Sequence, residues 1–211
     1  MVDPMTPNGH AWPKTIALAM TGASGSRYGL RLLECLLEAD TRVYLMISQA
    51  GQVVLNMEAG LEIPSRPAEA ELFLNELFSA KPGQLRVFGR QQWTAPVASG
   101  TNPPDAMVVC PCTTGTLATI ASGMSQDLID RSADVALKEG RKLILVVRET
   151  PFSVIQLENM LRLARAGAVI MPANPGFYFK PTEIDDIIDF MVARILDHLG
   201  VAHRLMQRWG E

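Results

Sequence analysis

Short, continuously apolar runs alternate along the chain with longer stretches in which apolar residues return every three or four positions. TIALAMTG (15–22), RVYLMIS (42–48), AMVVC (106–110), KLILVVRE (142–149) and AVIMP (168–172) are runs of the first kind, and LRVFG (85–89) is a shorter one. Such runs read as strands buried on both faces. Between them, SRYGLRLLECLLEA sets Leu30, Leu33, Leu36 and Leu37 on one helical face. AGQVVLNM, AEAELFLNELFSA, TGTLATIAS, DLIDRSADVALKEG, SVIQLENMLRLARAG and TEIDDIIDFMVARILDHLG read as further helices. Alternating helices and all-apolar strands predict a doubly wound α/β fold, a parallel sheet with helices on both faces.

In such sheets ligands bind beyond the carboxyl ends of the strands. The residues expected there are Gly22-Ala23-Ser24-Gly25, Ser48, Pro111-Cys112-Thr113-Thr114-Gly115, Arg148-Glu149 and Pro172-Ala173-Asn174. The set is rich in small residues and hydroxyls, with one cation and one carboxylate, and suits a phosphorylated, flat organic cofactor. TGASGSRYG (21–29) lets backbone amides approach an anion at a helix amino terminus. It is not G-x-G-x-x-G, and no acid clearly ends the second strand, which disfavours NAD. A plain tight strand-to-helix turn remains the alternative.

Composition narrows the classes. The chain has 211 residues, 48% of them hydrophobic, and a net charge of −3 without long charged runs. That argues against steering toward nucleic acid or an anionic membrane, and no apolar run has the roughly 18 residues of a membrane span. Residues 1–14 read as a flexible leader and 15–211 as one domain. Three cysteines suggest reduced thiols and a cytoplasmic protein. Cys110 and Cys112 could be a redox pair, half a metal site or a nucleophile. Against these, a redox pair usually spaces its thiols by two residues, zinc needs about four ligands, and no histidine is near a strand end. The simpler reading makes Cys110 the buried end of a strand and Cys112 a loop-lining residue. D-D-x-x-D in EIDDIIDF (183–190) could hold magnesium on a diphosphate, but acids there also suit a helix start that Thr182 can cap. Arg148 and Glu149 end a buried strand, where a charged pair is either a structural ion pair or functional.

The ordered set TGASGSRYGLRLLECL, PVASG, MVVCPCTTGTLATIASG, LIDRSADVALKEGRKLILVVRETPFS, LENMLRL, GAVIMPANPGFY and RWGE resembles the UbiX-type flavin prenyltransferases from about Thr15 to Trp209. Gly140 and Lys142 depart from it, in a stretch where relatives often carry Arg-Arg-Pro. The resemblance implies a flavodoxin-like Rossmann subunit in a homo-dodecamer, with sites at subunit junctions. It implies reduced FMN as acceptor, dimethylallyl phosphate as co-substrate, no metal, and prenylated FMN as product, bridged at N5 and C6 and destined for a UbiD-type decarboxylase, including those of ubiquinone synthesis.

Carried residue by residue, the resemblance gives Gly22, Ala23, Ser24, Ser48, Thr113, Thr114, Gly115, Thr116 and Arg148 to the flavin. It gives Ser99, Gly100, Lys138, Arg148, Tyr178 and Arg194 to the allylic phosphate. Glu58, Glu149, Arg131 and Lys138 match active-site positions, and Trp93 faces the prenyl chain. Glu149 is the expected proton shuttle. The competing expectations are a direct 4-hydroxybenzoate-type decarboxylase and an FMN carrier without catalysis. A flavin-dependent cysteine decarboxylase is a further rival, but no histidine lies between His10 and His198.

Overall fold

The computed structural model describes Trp12, residues 14–206 and Gly210. The leader reading of 1–14 falls almost wholly outside the described residues, as do Arg208, Trp209 and Glu211 of RWGE. In chain order the elements are β1 (Thr15–Met20), α1 (Ser26–Glu38), β2 (Arg42–Ile47), α2 (Gln49–Ala59), α3 (Pro67–Leu77), β3 (Leu85–Phe88), a 3-10 turn (Pro96–Ala98), β4 (Ala106–Cys112), α4 (Thr114–Ala121), α5 (Leu128–Lys138), β5 (Lys142–Val147), α6 (Val154–Arg165), β6 (Val169–Ile170) and α7 (Ile184–Leu199). The sheet has the order β3-β2-β1-β4-β5-β6, and every pairing is parallel. This is the doubly wound α/β fold that the alternation predicts, and the flavodoxin-like Rossmann subunit that the resemblance implies.

Two cores explain why the strands are apolar throughout. Ile16, Leu18, Met20, Val43, Leu45 and Val108 face a core with α1, α2, α3 and α7. Ala17, Ala19, Met46, Met107, Val109 and Leu145 face a second core with α4, α5 and α6. Side chains alternate across the sheet with period two, so a strand covered on both sides must be apolar at each position.

β4 interrupts that alternation. Its register with β5 is irregular between Val109 and Cys112. Cys110 joins the α1/α7 core and Cys112 the opposite one, both fully buried. A residue left out of register at a bulge reverses the parity of the residues after it. The strand therefore continues to Cys112 rather than stopping at Cys110, and Cys112 is core rather than loop.

The sheet thus has two unlike edges. At the carboxyl edge the loops after β1 and β4 leave toward opposite faces, since their neighbours α1 and α4 belong to different layers. At the amino edge Lys14 Nζ donates to the Leu199 and Gly200 carbonyls at the end of α7 (2.6 and 2.9 Å), and Thr15 N donates to Asp105 (2.8 Å). The six residues of β5 separate the edges by about 20 Å at ~3.3 Å per residue.

Candidate functional site

Beyond β1 and β4 a buried hydroxyl ties the two loops together. Thr21 Oγ1 donates to the Pro111 carbonyl (2.7 Å) and accepts from Thr113 N (2.9 Å). Thr21 is 2% exposed and ties the two loops at a fixed spacing. The sequence reading missed it, although its signal was there: a hydroxyl at the end of an apolar run, immediately before glycine. Gly22 is required by packing, because a Cβ there would lie 2.4 Å from the Ala50 Cβ of α2. Gly25 has φ 106°, a conformation that favours glycine. Ala23 is buried, whereas Ser24 is exposed.

Beyond β2, Ser48 caps α2 by accepting from Gly51 N (3.0 Å). Beyond β4, Thr113 caps α4: its Oγ1 accepts from Thr116 N (3.0 Å) and donates to Thr116 Oγ1 (2.9 Å). Thr114 and Gly115 form the first turn of α4. A Cβ on Gly115 would meet only Thr113 Oγ1, at 3.8 Å, so this side of the turn is open to an approaching group. The amides of such a turn carry partial positive charge suited to an anion or an electron-rich ring edge.

Arg148 follows β5, and its N donates to the Cys112 carbonyl (3.3 Å). Its Nε is buried with no hydrogen-bond partner among the described residues. Glu149 accepts from Thr150 N (3.1 Å). Among the described residues the two charges form no ion pair with each other, which removes the structural explanation for placing them at a strand end. A buried guanidinium donor left unpaired is costly unless a ligand meets it. An orphaned cationic donor beside an open, hydroxyl-rich turn fits a phosphorylated flavin. Two further aromatics lie toward this edge. Trp93 stands in the turn after β3 and is 45% exposed. Tyr178, in the segment between β6 and α7, packs edge-on against Phe179 and Phe190 while 55% exposed.

Glu58, in the last turn of α2, reaches back to the start of α1. Its Oε2 accepts from Gly25 N (3.0 Å), Ser26 N (2.8 Å) and Ser26 Oγ (2.8 Å), and its Oε1 from Gly25 N (3.2 Å). Desolvation acts to raise its pKa, but hydrogen bonds from the Ser24 and Ser26 side chains and the Ser26 and Gly25 amides outweigh it and hold the carboxyl below its ordinary value.

The remaining residues of the expected phosphate set lie elsewhere in the protomer. The chain from Arg90 to Gly100 runs down α5. Leu128 N donates to the Arg90 carbonyl (2.8 Å), and Arg131 Nε to the Ala98 carbonyl (3.1 Å). Gly100 abuts the last turn, where a Cβ would lie 2.7 Å from Lys138 Nζ. Arg131 pairs with Asp134 (2.7 Å) and Lys138 with Glu139. Ser99 Oγ shares a hydrogen bond with Thr101 Oγ1 (3.0 Å). Arg194 is exposed in the second half of α7, in the layer on the other face, and pairs with Asp197 (3.2 Å). Lys138 thus precedes β5 and Arg148 follows it. One protomer brings Arg148, Glu149, Thr113–Thr116 and Gly22–Ser24 to a common edge, and leaves Ser99, Gly100, Lys138 and Arg194 away from it.

Other candidate chemistry is absorbed by structure. Asp185 pairs with Arg27, Asp189 with Arg31 (2.8 Å), and Asp186 accepts from Thr182 N (2.7 Å), Thr182 Oγ1 (3.1 Å) and Glu183 N (3.1 Å). Thr182 therefore donates to the acid rather than capping the helix. The Arg27–Asp185 and Arg31–Asp189 pairs line a cleft of about 740 Å³ between α1, α2, α3 and α7, which leaves that cleft without an unanswered cation. No group of three or more potential metal-ligating side chains occurs among the described residues. Burial pushes the Cys112 thiol up to about 12 and Cys110 also upward, so neither is a ready nucleophile. No helix among the described residues is long and apolar enough to cross a membrane.

Comparison with known proteins places the chain among flavoproteins. The sequence model of the Flavoprotein family matches residues 5–196. The flavin prenyltransferase UbiX of Pseudomonas aeruginosa is 54% identical over 199 residues, which is 94% of this chain and 95% of that protein. Among solved structures, AnUbiX (PadA1) in complex with FMN and dimethylallyl pyrophosphate superposes with a TM-score of 0.83 at 39% identity, covering 94% of this chain and 98% of the other. A dodecameric FMN-dependent UbiX-like decarboxylase from Escherichia coli O157:H7 gives 0.80 at 36% identity, covering 93% and 100%.

Proposed function

The chain belongs to the Flavoprotein family and, within it, to the flavin prenyltransferases, and from that premise we propose that it joins the dimethylallyl group of a phosphorylated dimethylallyl donor to reduced FMN. The product is prenylated FMN, with the group bridging N5 and C6, and its recipient is a UbiD-type decarboxylase. The donor is dimethylallyl phosphate. The observation that carries the reading is the buried, unpartnered Nε of Arg148 at an open carboxyl edge.

FMN, when bound, supplies the nucleophilic ring atoms. The chain's own residues do the rest. Gly22, Ala23, Ser24, Ser48 and Thr113–Thr116 hold the flavin by amides and hydroxyls, with the Arg148 Nε meeting one of its acceptors. Departure of phosphate leaves charge on its oxygens, and cations that bind this charge more tightly as it grows lower the barrier. Lys138, Arg194 and Arg148 have that role, with Ser99, Gly100 and Tyr178 fixing the phosphate and Arg131 adding positive charge. Trp93 presents an aromatic face to the allylic carbons as they gain positive charge. Glu149 carries the proton, its carboxylate held by a single backbone amide in this structure.

The division of these residues between the two edges supports a site completed by neighbouring copies of the chain. A homo-dodecamer, in which one protomer's amino edge meets another's carboxyl edge, accommodates it. Three free cysteines support a reducing, cytoplasmic setting.

The reading is tested by mixing the protein anaerobically with reduced FMN and dimethylallyl phosphate and weighing the released flavin. A gain of one prenyl unit is expected, and flavin of unchanged mass would sink the proposal. A direct decarboxylase predicts instead CO₂ from a 4-hydroxybenzoate at catalytic rates with no partner enzyme present. An FMN carrier predicts flavin binding with no consumption of the donor.

A further inference from the structure

We infer that Asp127 is a positioning residue for Trp93, fixing through Arg90 the loop that carries this indole. The inference rests on the reading of Trp93 as the aromatic face for the allylic group.

The loop after β3 is fastened at two points. At the first, Arg90 is held twice: its carbonyl accepts from Leu128 N (2.8 Å), and its Nε donates to Asp127 Oδ2 (3.2 Å). At the second, Ala95 and Val97 enter the core shared with α4, α5 and α6, and the Ala98 carbonyl accepts from Arg131 Nε (3.1 Å). Gln91, Gln92, Trp93 and Thr94 are exposed between these points. Among the described residues, this stretch reaches the rest of the fold by one hydrogen bond, from Gln91 Nε2 to the Gln126 carbonyl at 3.5 Å. Its other hydrogen bonds close within the loop: Gln92 N to the Gly89 carbonyl, Trp93 N to that of Gln91, Ala95 N to that of Gln92, and Gly89 N to Gln92 Oε1. Trp93 belongs to neither core. Its place is therefore set by the two anchors.

Asp127 does two separable things. Its Oδ1 caps α5, accepting from Ile129 N (3.0 Å) and Asp130 N (3.2 Å). Its Oδ2 holds Arg90. The Asp127 carbonyl accepts from Arg131 N (3.0 Å), so all four amides that open α5 are answered, that of Leu128 by the seated loop itself. An asparagine at 127 keeps the capping oxygen but turns an NH₂ toward the guanidinium, which has no acceptor to offer it. Asp127→Asn thus removes the anchor and spares the cap. Arg90→Met removes the same anchor from the other side. The two changes act oppositely on Asp130, whose pKa Asp127 pushes up and Arg90 pulls down. An equal effect of both on Trp93 therefore cannot pass through Asp130.

Two measurements on the full chain decide the matter. The chain has three tryptophans, so Trp12→Phe with Trp209→Phe leaves Trp93 as the sole indole reporter. In that background, before FMN is added, Asp127→Asn and Arg90→Met should each lower the fluorescence anisotropy of Trp93 and raise its quenching by acrylamide. In the otherwise native chain each should slow single-turnover prenyl transfer at saturating donor by about three- to tenfold. The donor KM should change less than about twofold, because the anchor at Ala98 still holds Ser99 and Gly100. Trp93→Ala should cost about tenfold, and adding Arg90→Met to it should cost less than about twofold more, because the anchor acts through the indole it places. Arg90 is exposed, so its variant guards against an Asp127 change that fails to fold. Unchanged Trp93 anisotropy in both variants would overturn the inference, and so would full additivity of Arg90→Met with Trp93→Ala. A Trp93→Ala chain that transfers the prenyl group at the normal rate would count against the reading of Trp93 instead, and anisotropy alone would then decide the anchor.

Discussion

At the carboxyl edge of the sheet Arg148 keeps a buried Nε without a partner, and the first turn of α4 stands open beside Gly115. At the amino edge and along α5 the comparable cations are answered: Lys138 by Glu139, Arg131 by Asp134, and Lys14 by two carbonyls. These three cations find partners among the described residues, and the Arg148 Nε does not. Yet the cations expected to act on a single phosphate are divided between the two edges. Local satisfaction is therefore a poor guide to which charges work in catalysis. An exposed ion pair is worth little and is readily exchanged for a ligand or a neighbouring subunit, whereas a buried orphan is costly until it is met.

The sharpest way to break the comparison is to remove the orphan. Arg148→Met should lower prenyl transfer by about ten- to a hundredfold, since a charge-assisted hydrogen bond contributes roughly 1.5–3 kcal/mol, while the melting temperature should hold or rise. A fall in melting temperature with normal turnover would make Arg148 structural. Next in size is Lys138→Ala, expected to cost about tenfold or more in turnover with little change in stability because its ion pair is exposed. Oligomers assembled from Lys138→Ala and Arg148→Met chains should recover activity that neither has alone, because some sites then draw an intact amino edge from one chain and an intact carboxyl edge from another. No recovery would mean that a site takes both residues from one protomer.

Two glycines separate binding from folding. Gly115→Val should weaken FMN binding about thirtyfold at unchanged stability, because the added carbons enter the open side of the turn. Gly22→Ala should instead destabilise the fold by about 1–3 kcal/mol, through its clash with Ala50. Equal losses of stability would erase the distinction.

A smaller effect comes from Asp130, in the first turn of α5. Burial, then the neighbouring Asp127, raises its pKa from 3.8 to about 6. The folded state therefore binds this proton more readily than the unfolded chain does. The associated stability is present at low pH and lost as pH rises through about 6. Asp130→Asn should raise stability by about 1 kcal/mol at pH 8 and by less at pH 5, read from melting curves at the two values. The reverse order would show that the charge is stabilised by a partner. Smallest in functional terms are the cysteines. Cys110→Ala and Cys112→Ala should each cost about 1 kcal/mol of stability and leave prenyl transfer near the wild-type rate. Serine is the costlier substitute, because it buries a hydroxyl in an apolar core. A folded, flavin-loaded alanine variant without activity would return the thiols to the chemistry.

Much of the architecture was legible in the sequence. Helix and strand periods depend on residues within a few positions of one another, so TIALAM and SRYGLRLLECLLE declare their elements without help. The fold's own rule then sends Gly22–Ser24, Thr113–Thr116 and Arg148 to one edge. The run of hydroxyls after β4 was visible for the same reason. The role of Glu58 was open only to analogy, since nothing in LNMEAG says that its carboxylate meets amides thirty-three residues back in the chain.

Sequence alone therefore determined the order of the elements, the parallel sheet and the identity of the loops at its carboxyl edge, because these depend on burial on two faces and on short-range periodicity. Tertiary structure decided the rest. An i, i+2 spacing in a regular strand would put Cys110 and Cys112 on the same face, and the irregular register of β4 sends them into opposite cores. It left Arg148 unpaired and tied Glu58 to α1. Such outcomes depend on pairing register and on contacts between segments distant in the chain, and no local pattern carries them.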